Sequence, residues 1–506
     1  MIKGDLMKKF KTFVINTVIL SIASLIMNIV GMGFSVYISN KIGTEALGVY
    51  QLIISIYTFA ITLATSGISI AVTHLVSEKL ALKEYSEVKK ITKQSVVLSF
   101  FMGCFAMIIL ILCSEFLTTK FLHSKISPNS LILIAISLPP LAVSASVNGY
   151  FSAVTRVIKS ASANFIEQFF KIIISIYFFN MILPSSLENA CLSLVLGSLL
   201  SEFISFIYLM LMYKIDKKRY KEVRNKNKTY YKEIIKISCP VAITSYIRSG
   251  LSTLKQIIIP IRLEKSGISC EVALSQYGMI TGMVMQLVWF PCLFINVFAG
   301  LLIPEYSRLN ALNSKKRINN VTTKIFKFTL LFSVLIFGIF FTFADELSMA
   351  IYSKMEVAGY IKIIAPLVLI MYIDNVVDGM LKGLNKQVAV MKCNILDLFI
   401  SIILMYILLP IYGIYGYIIV LFTSEILNGT ISIIQLIKAT NVKLDIVSIL
   451  LKPLLCILLS NIAIRYLSFS YNGKVIFLVY EILIYVLIYI FLLFVTSTFT
   501  KKDLKV

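Results

Sequence analysis

The chain has 506 residues, 58% of them hydrophobic and only 14% charged, with a mean hydropathy of +0.89. Ordinary soluble domains are roughly half apolar and about a quarter charged, so a soluble globule is excluded, as is an extramembrane domain of any size. The formal charge of +23, from 48 Lys+Arg against 25 Asp+Glu, would suit nucleic acid, but its placement between apolar runs ties it to membrane topology, and nucleic acid is set aside as a partner.

Taken in chain order at about 20 apolar residues per crossing, the sequence predicts fourteen helices, near 13–38, 47–73, 94–113, 131–152, 163–183, 190–213, 233–259, 275–304, 324–343, 360–382, 390–411, 415–437, 446–466 and 475–497. The expected fold class is therefore an all-α integral membrane protein. The first run follows Lys8, Lys9 and Lys11 as a signal peptide would, but it is about twice as long as such an apolar region and has no small-residue cleavage site. It is read as the first span.

Alternate connections carry very different charge. One set, from the N-terminus through the 74–93 loop to the tail, holds about 33 Lys and Arg, and the other about seven; positive loops stay on the cytoplasmic side. Both termini are thus expected in the cytoplasm of a bacterial cell, with the chain multi-pass in the cytoplasmic membrane. The most polar stretch, YKIDKKRYKEVRNKNKTYYKE at 213–233, reads as a linker between halves that lies against anionic lipid headgroups or in solvent.

An internal repeat appears at an offset of 230 residues. Asn148-Gly149 aligns with Asp378-Gly379, Arg156 with Lys386, Asn164 with Asn394, Glu167 with Asp397, Gly48 with Gly278 and Ser77 with Ser307; Ser201-Glu202 meets Ser424-Glu425 after a gap of seven. The expected organisation is two six-helix lobes in parallel repeat, 1–213 and 233–440, joined by the basic cytoplasmic linker 214–232 and followed by two additional helices and a tail at 441–506.

A charge at the bilayer centre costs roughly 2.5 to 3.5 kcal/mol, so intramembrane charges mark cavities or partners. Arg248, Lys255 and Arg262 recur every seven residues along one helical stripe, a candidate cationic wall for a phosphate or pyrophosphate. Lys171 is a further buried cation. Glu202, Glu425, Asp374, Asp378 and Asp397, with Glu481, form the acidic set, read as coupling or structural carboxylates; Asp378 and Lys382 have the i,i+4 spacing of an ion pair.

The remaining signals are softer. His74 and His123 have no companion ligands, and the eight cysteines sit singly without CxxC spacing, so no metal site is expected. Gly278 with Gly282 and Gly379 with Gly383 have the spacing of close helix approach. Pro139-Pro140, Pro240, Pro291 and Pro366 are expected to bend or break their spans. No nucleotide-binding signature, catalytic constellation or cofactor motif appears, and the coupling ion is not legible.

Three stretches carry a family resemblance: YISNKIGTEALGVYQLIISIYTFAITLATSGISIAVTHLVSE at 37–78, LSQYGMITGMVMQLVWFPCLFINVFAGLLIPEYSR at 274–308, and IDNVVDGMLKGLNKQ at 373–387. They resemble the stage V sporulation protein B-like group of the polysaccharide-export and lipid-flippase branch, whose superfamily also contains the multidrug and toxic compound extrusion transporters and the lipid II flippases. The resemblance implies two lobes around a central cavity, no enzymatic activity, and transport of an undecaprenyl-pyrophosphate-linked saccharide, such as a spore cortex or wall precursor. Lipid II flippases commonly place basic residues in their first two spans; here those spans contain none, leaving Arg248, Lys255 and Lys171 to supply cavity charge. The alternative is a cation-coupled multidrug exporter on the same scaffold.

Overall fold

The computed structural model describes residues 2–121, 127–182, 186–219, 229–312, 314–442, 450–467 and 475–498. His123, the 220–228 part of the basic linker and the tail beyond 498 lie outside the described residues. The first helices are α1 (Ile2–Thr65), α2 (Ile68–Ala81), α3 (Tyr85–Phe121), α4 (Asn129–Ala135), α5 (Leu138–Ala153), α6 (Val157–Ile182) and α7 (Leu187–Asp216). After the linker come α8 (Tyr231–Glu264), α9 (Cys270–Met279), a π turn (Ile280–Val284), α10 (Met285–Ala311), α11 (Lys315–Thr342), α12 (Ala344–Tyr352), α13 (Glu356–Ile364) and α14 (Leu367–Gly383). The chain continues through α15 (Gln387–Tyr412), α16 (Ile414–Thr440), α17 (Lys452–Leu467) and α18 (Val475–Val495).

The described residues of the fourteen expected segments are mostly helical, with turns inside them at 66–67, 136–137 and 365–366 and a π turn at 280–284. Nine helical stretches among the described residues are long and apolar enough to cross a bilayer, ten when α13 and α14, bent by 53° at their joint, count as one span. The number falls below fourteen for physical reasons. Residues 23–81 form one 59-residue stretch, α6 and α8 carry internal charges, and α17 has only 16 residues.

The helices pack as two compact units. The first comprises Met1–Phe34, Ile42–Ile261 and Ile268–Gly278; the second comprises Ser35–Lys41, Arg262–Gly267 and Met279–Val506. The 230-residue offset recurs in their local structure. α3 begins at 85 and α11 at 315, while α6 spans 157–182 and α15 spans 387–412. Thr155 and Asn385, at φ 57° and 61°, both turn left-handed between a helix and the next. A Cβ on Gly149 would meet the Ser69 carbonyl oxygen at 2.6 Å, and one on Gly379 the Ala299 carbonyl oxygen at 2.9 Å. Gly48 and Gly278, equivalent in the repeat, touch one another in the first unit: a Cβ on Gly278 would lie 2.5 Å from the Gly48 nitrogen. The same crossing is pinned by a 2.6 Å hydrogen bond between the Thr44 and Ser275 hydroxyls.

The prolines act less uniformly than expected. Pro139 and Pro140 open α5, where their missing N–H groups are not needed, and Pro366 stands at the start of α14. Pro240 and Pro291, however, sit inside helices that run on through them, so neither ends its helix. The irregularity in this region is the π turn, upstream of Pro291. Buried Tyr352 donates to the Met283 carbonyl at 2.9 Å and buried Tyr372 to the Val288 carbonyl at 2.8 Å, so neighbouring helices satisfy backbone groups around it.

Candidate functional site

The basic stripe on α8 is set by what the opposite face of that helix does. Tyr246 donates to the Leu63 carbonyl at 3.2 Å, Thr62 donates to Ser249 at 3.1 Å, and Thr253 donates to the Ser55 carbonyl at 3.1 Å. Gly250 packs beside Phe59. These side chains define the face that α8 buries against α1. At about 100° per residue, Arg248, Lys255 and Arg262 lie within roughly 40° of one another and about 180° from that face. Arg248 is exposed and Lys255 half-buried. Arg262 departs from the other two: its guanidinium stacks 3.3 Å from the centroid of the Tyr406 ring on α15, a cation–π partner.

Within the first unit a second polar group collects around Glu202 of α7, which is 9% exposed. Tyr57 of α1 donates to Glu202 Oε2 at 2.6 Å, and the hydroxyls of Tyr57 and Ser137 lie 2.5 Å apart. Lys171 and Glu167, one turn apart on α6, share this electrostatic environment: Lys171 feels Tyr50, Glu202 and Glu167. Lys171 is thus a cation in the electrostatic surroundings of Glu202.

The linker end of the same unit is fastened by Asp216, whose side chain is fully buried. It accepts hydrogen bonds from Tyr150 at 2.8 Å, from Lys159 at 2.7 Å and from Arg156. The distal end of the linker returns to this unit, where the Tyr230 amide donates to Gln94 Oε1 at 2.7 Å and its ring joins a core with Tyr150, Tyr213 and Ile234. Burial first, and then the Glu87 carboxylate, push the Tyr230 phenol above its ordinary range.

The remaining carboxylates lie in the second unit. Asn428 donates to Asp374 Oδ2 at 2.8 Å and Ser424 donates to Asp397 Oδ1 at 2.6 Å. Lys382 stands 3.6 Å from Asp378. Asp374 is 8% exposed, and its Oδ1 has no hydrogen-bond partner among the described residues. Glu425 is half-buried, and Glu481 of α18 is buried in the field of Glu346. Among the described residues no three His, Cys, Asp or Glu side chains converge as a metal site.

With this geometry in view, the family follows from sequence comparison. The model of the polysaccharide biosynthesis protein family matches residues 13–310, more than half of the chain. The chain belongs to the polysaccharide biosynthesis protein family. It is 24% identical over 480 residues to stage V sporulation protein B of Bacillus subtilis (strain 168), covering 92% of each chain, and 20% identical over 399 residues to sporulation protein YkvU of the same organism, covering 78% of this chain and 88% of that one. Among solved structures it resembles the lipid II flippase MurJ in an inward closed conformation, with a TM-score of 0.72 at 14% identity over 94% of this chain and 98% of that one. It also resembles an inward-facing multidrug resistance MATE family transporter of the MOP superfamily, with a TM-score of 0.65 at 11% identity over 82% and 96% of the two chains. This member of the polysaccharide biosynthesis protein family therefore has the all-helical, multi-pass fold of those two structures.

Several residues that organise these groups escape a one-dimensional reading of this family member. Tyr57, Ser137 and Asn428 are ordinary apolar-run residues in sequence, and only their long-range partners give them a role. Asp216 and Tyr150 look like a loop charge and a core aromatic. The i,i+4 spacing of Glu167 and Lys171 was the one local signal available for the Glu202 group.

Proposed function

We propose that this protein is a flippase that translocates an undecaprenyl-pyrophosphate-linked saccharide, a peptidoglycan or polysaccharide precursor such as that of the spore cortex, from the inner to the outer leaflet of the bacterial cytoplasmic membrane by alternating access. In this reading the chain crosses fourteen times with both termini cytoplasmic. Residues 23–81, about 88 Å of helix against a core of about 30 Å, make two crossings broken at Gly43, and α6, α8 and α17 also cross. Residues 1–213 and 233–440 are the two lobes, 214–232 links them against anionic lipid, and 441–506 adds two helices.

The observation that carries the reading is the exposed Arg248 on the face of α8 opposite its contact with α1. A guanidinium retained in a membrane-spanning helix at a cost of about 2.5 to 3.5 kcal/mol, with its face turned from the protein core, suits a pyrophosphate that it can bind through two parallel hydrogen bonds. Lys255 and Lys171 extend the cationic surface, and Arg262 serves the Tyr406 stack. The carboxylates Glu202, Glu425, Asp374, Asp378 and Asp397 are assigned to coupling and internal pairing. Translocation of a lipid-linked precursor in reconstituted vesicles tests this. Arg248→Ala should weaken binding about ten-fold to a hundred-fold, the loss of about 1.5 to 3 kcal/mol, at unchanged expression, and Arg248→Lys should recover part of it. Wild-type translocation by both Arg248→Ala and Lys255→Ala refutes the assignment. Asp374 Oδ1, which has no hydrogen-bond partner among the described residues, favours a second reading, a cation-coupled multidrug exporter, which would be recognised by ion-driven efflux of cationic dyes from the same vesicles.

A further inference from the structure

The repeat builds one helix crossing twice, and the two copies differ in chemistry. In the first unit α2 crosses α5, with Gly149 seated on the Ser69 carbonyl; in the second, α10 crosses α14, with Gly379 seated on the Ala299 carbonyl. Beside the first crossing lies a cavity of about 760 Å³. Ser69, Thr73 and Ser77 line it from successive turns of α2, and Ser152 faces them from α5. His74 and Glu78, both exposed, complete the polar lining, and Ile70, 54% exposed, gives an apolar surface.

At the equivalent positions 230 residues on, the second unit has Ala299 for Ser69, Ile303 for Thr73, Pro304 for His74, Arg308 for Glu78 and Lys382 for Ser152. Ser77 keeps its hydroxyl as Ser307, which donates there to the Gly383 carbonyl, so packing at this crossing does not require the Ser69, Thr73 and Ser152 hydroxyls or the imidazole. Thr73 spends its proton on the carbonyls of Ser69 and Gly149, at 2.8 and 3.0 Å, so to a ligand it offers only an acceptor. Ser69, Ser77 and Ser152 offer both donors and acceptors, His74 one more of each when neutral, and Glu78 an acceptor. The Glu78 carboxylate disfavours a pyrophosphate. Hydroxyl and imidazole donors and acceptors set in a lining whose exposed surface is mostly apolar fit the hydroxyls and ring face of a sugar.

The helix that lines the cavity also touches the helix that carries Arg248. α2 starts where Gly67 abuts the backbone of Ser238 on α8, and Arg248 is ten residues, roughly 15 Å, further along α8. We propose that this cavity of the first unit binds the saccharide of the lipid-linked substrate while the α8 cations hold its pyrophosphate. The assignment rests on the flippase reading and adds to it a separate site for the glycan end.

The test is equilibrium binding by the full-length protein in lipid nanodiscs, with three probes: undecaprenyl pyrophosphate, undecaprenyl-pyrophosphate-linked N-acetylglucosamine and lipid II. Wild type should bind at least one sugar-bearing probe more tightly than the bare lipid. The triple variant Ser69→Ala, His74→Ala, Ser152→Ala should lose roughly ten-fold or more on that probe, two or three hydrogen bonds each being worth a factor of about 2 to 10, and should still bind undecaprenyl pyrophosphate. Ser152→Phe, which fills the cavity, should act in the same way, whereas Arg248→Ala should weaken every probe. If wild type prefers neither sugar-bearing probe, or if both cavity variants bind the preferred probe as wild type does, the cavity assignment is wrong while the flippase reading stands. If wild type binds none of the three probes, the flippase reading falls and takes the assignment with it.

Discussion

Removing the carboxylate of Asp216 tests how the first unit is fastened at its linker end. Its side chain is wholly buried, whereas those of Arg156 and Lys159 are 31% and 27% exposed. Asp216→Ala removes the carboxylate that accepts from the Tyr150 hydroxyl, on a residue 1% exposed, at a cost of about 1 to 3 kcal/mol. The two cations keep part of their hydration, so each lost charge-assisted bond is discounted to about 1 kcal/mol. The total of about 3 to 5 kcal/mol matches the usual cost of breaking a buried pair from one side. At roughly 2 to 4 °C per kcal/mol for a unit of this size, the melting temperature should drop by about 6 °C or more. Asp216→Asn, which still accepts from Tyr150, should lose about half as much. The assay is size-exclusion chromatography of detergent-purified protein after a temperature ramp. An Asp216→Ala protein that melts within about 2 °C of wild type would refute the reasoning, because it would mean that water or another side chain already serves Tyr150.

Three further outcomes are expected. Gly278→Ala places a methyl group 2.1 Å from the Thr44 carbonyl oxygen, backbone against backbone, so folded yield by fluorescence-detected chromatography should fall sharply, while Gly359→Ala, which meets nothing within 4 Å, should leave yield unchanged. Asp378→Asn should cost about 1 kcal/mol or less in thermal stability, because Lys382 is 45% exposed and the pair stands at 3.6 Å, within the usual range for such pairs. On a cysteine-free background, Thr229→Cys should resist an impermeant thiol reagent in intact cells and Asn129→Cys should react; the opposite pattern would invert the topology.

Composition and hydropathy by themselves determine that this is a helical membrane protein, because about 20 apolar residues in a row have no stable place except a bilayer or a large core. The 230-residue offset could be read too, and some helix ends and the left-handed turns at Thr155 and Asn385 share it. The basic stripe of α8 could be read as well, since a seven-residue spacing returns to nearly the same side of a helix. Which direction that stripe faces was not legible, because it depends on α8 burying Tyr246, Thr253 and their neighbours against α1. Nor was the partner of each buried charge. Glu202 is answered by Tyr57, 145 residues away, and Asp374 by Asn428, 54 away. Hydrogen bonds act over about 3 Å, and only the packing of helices brings residues so distant in sequence to that range.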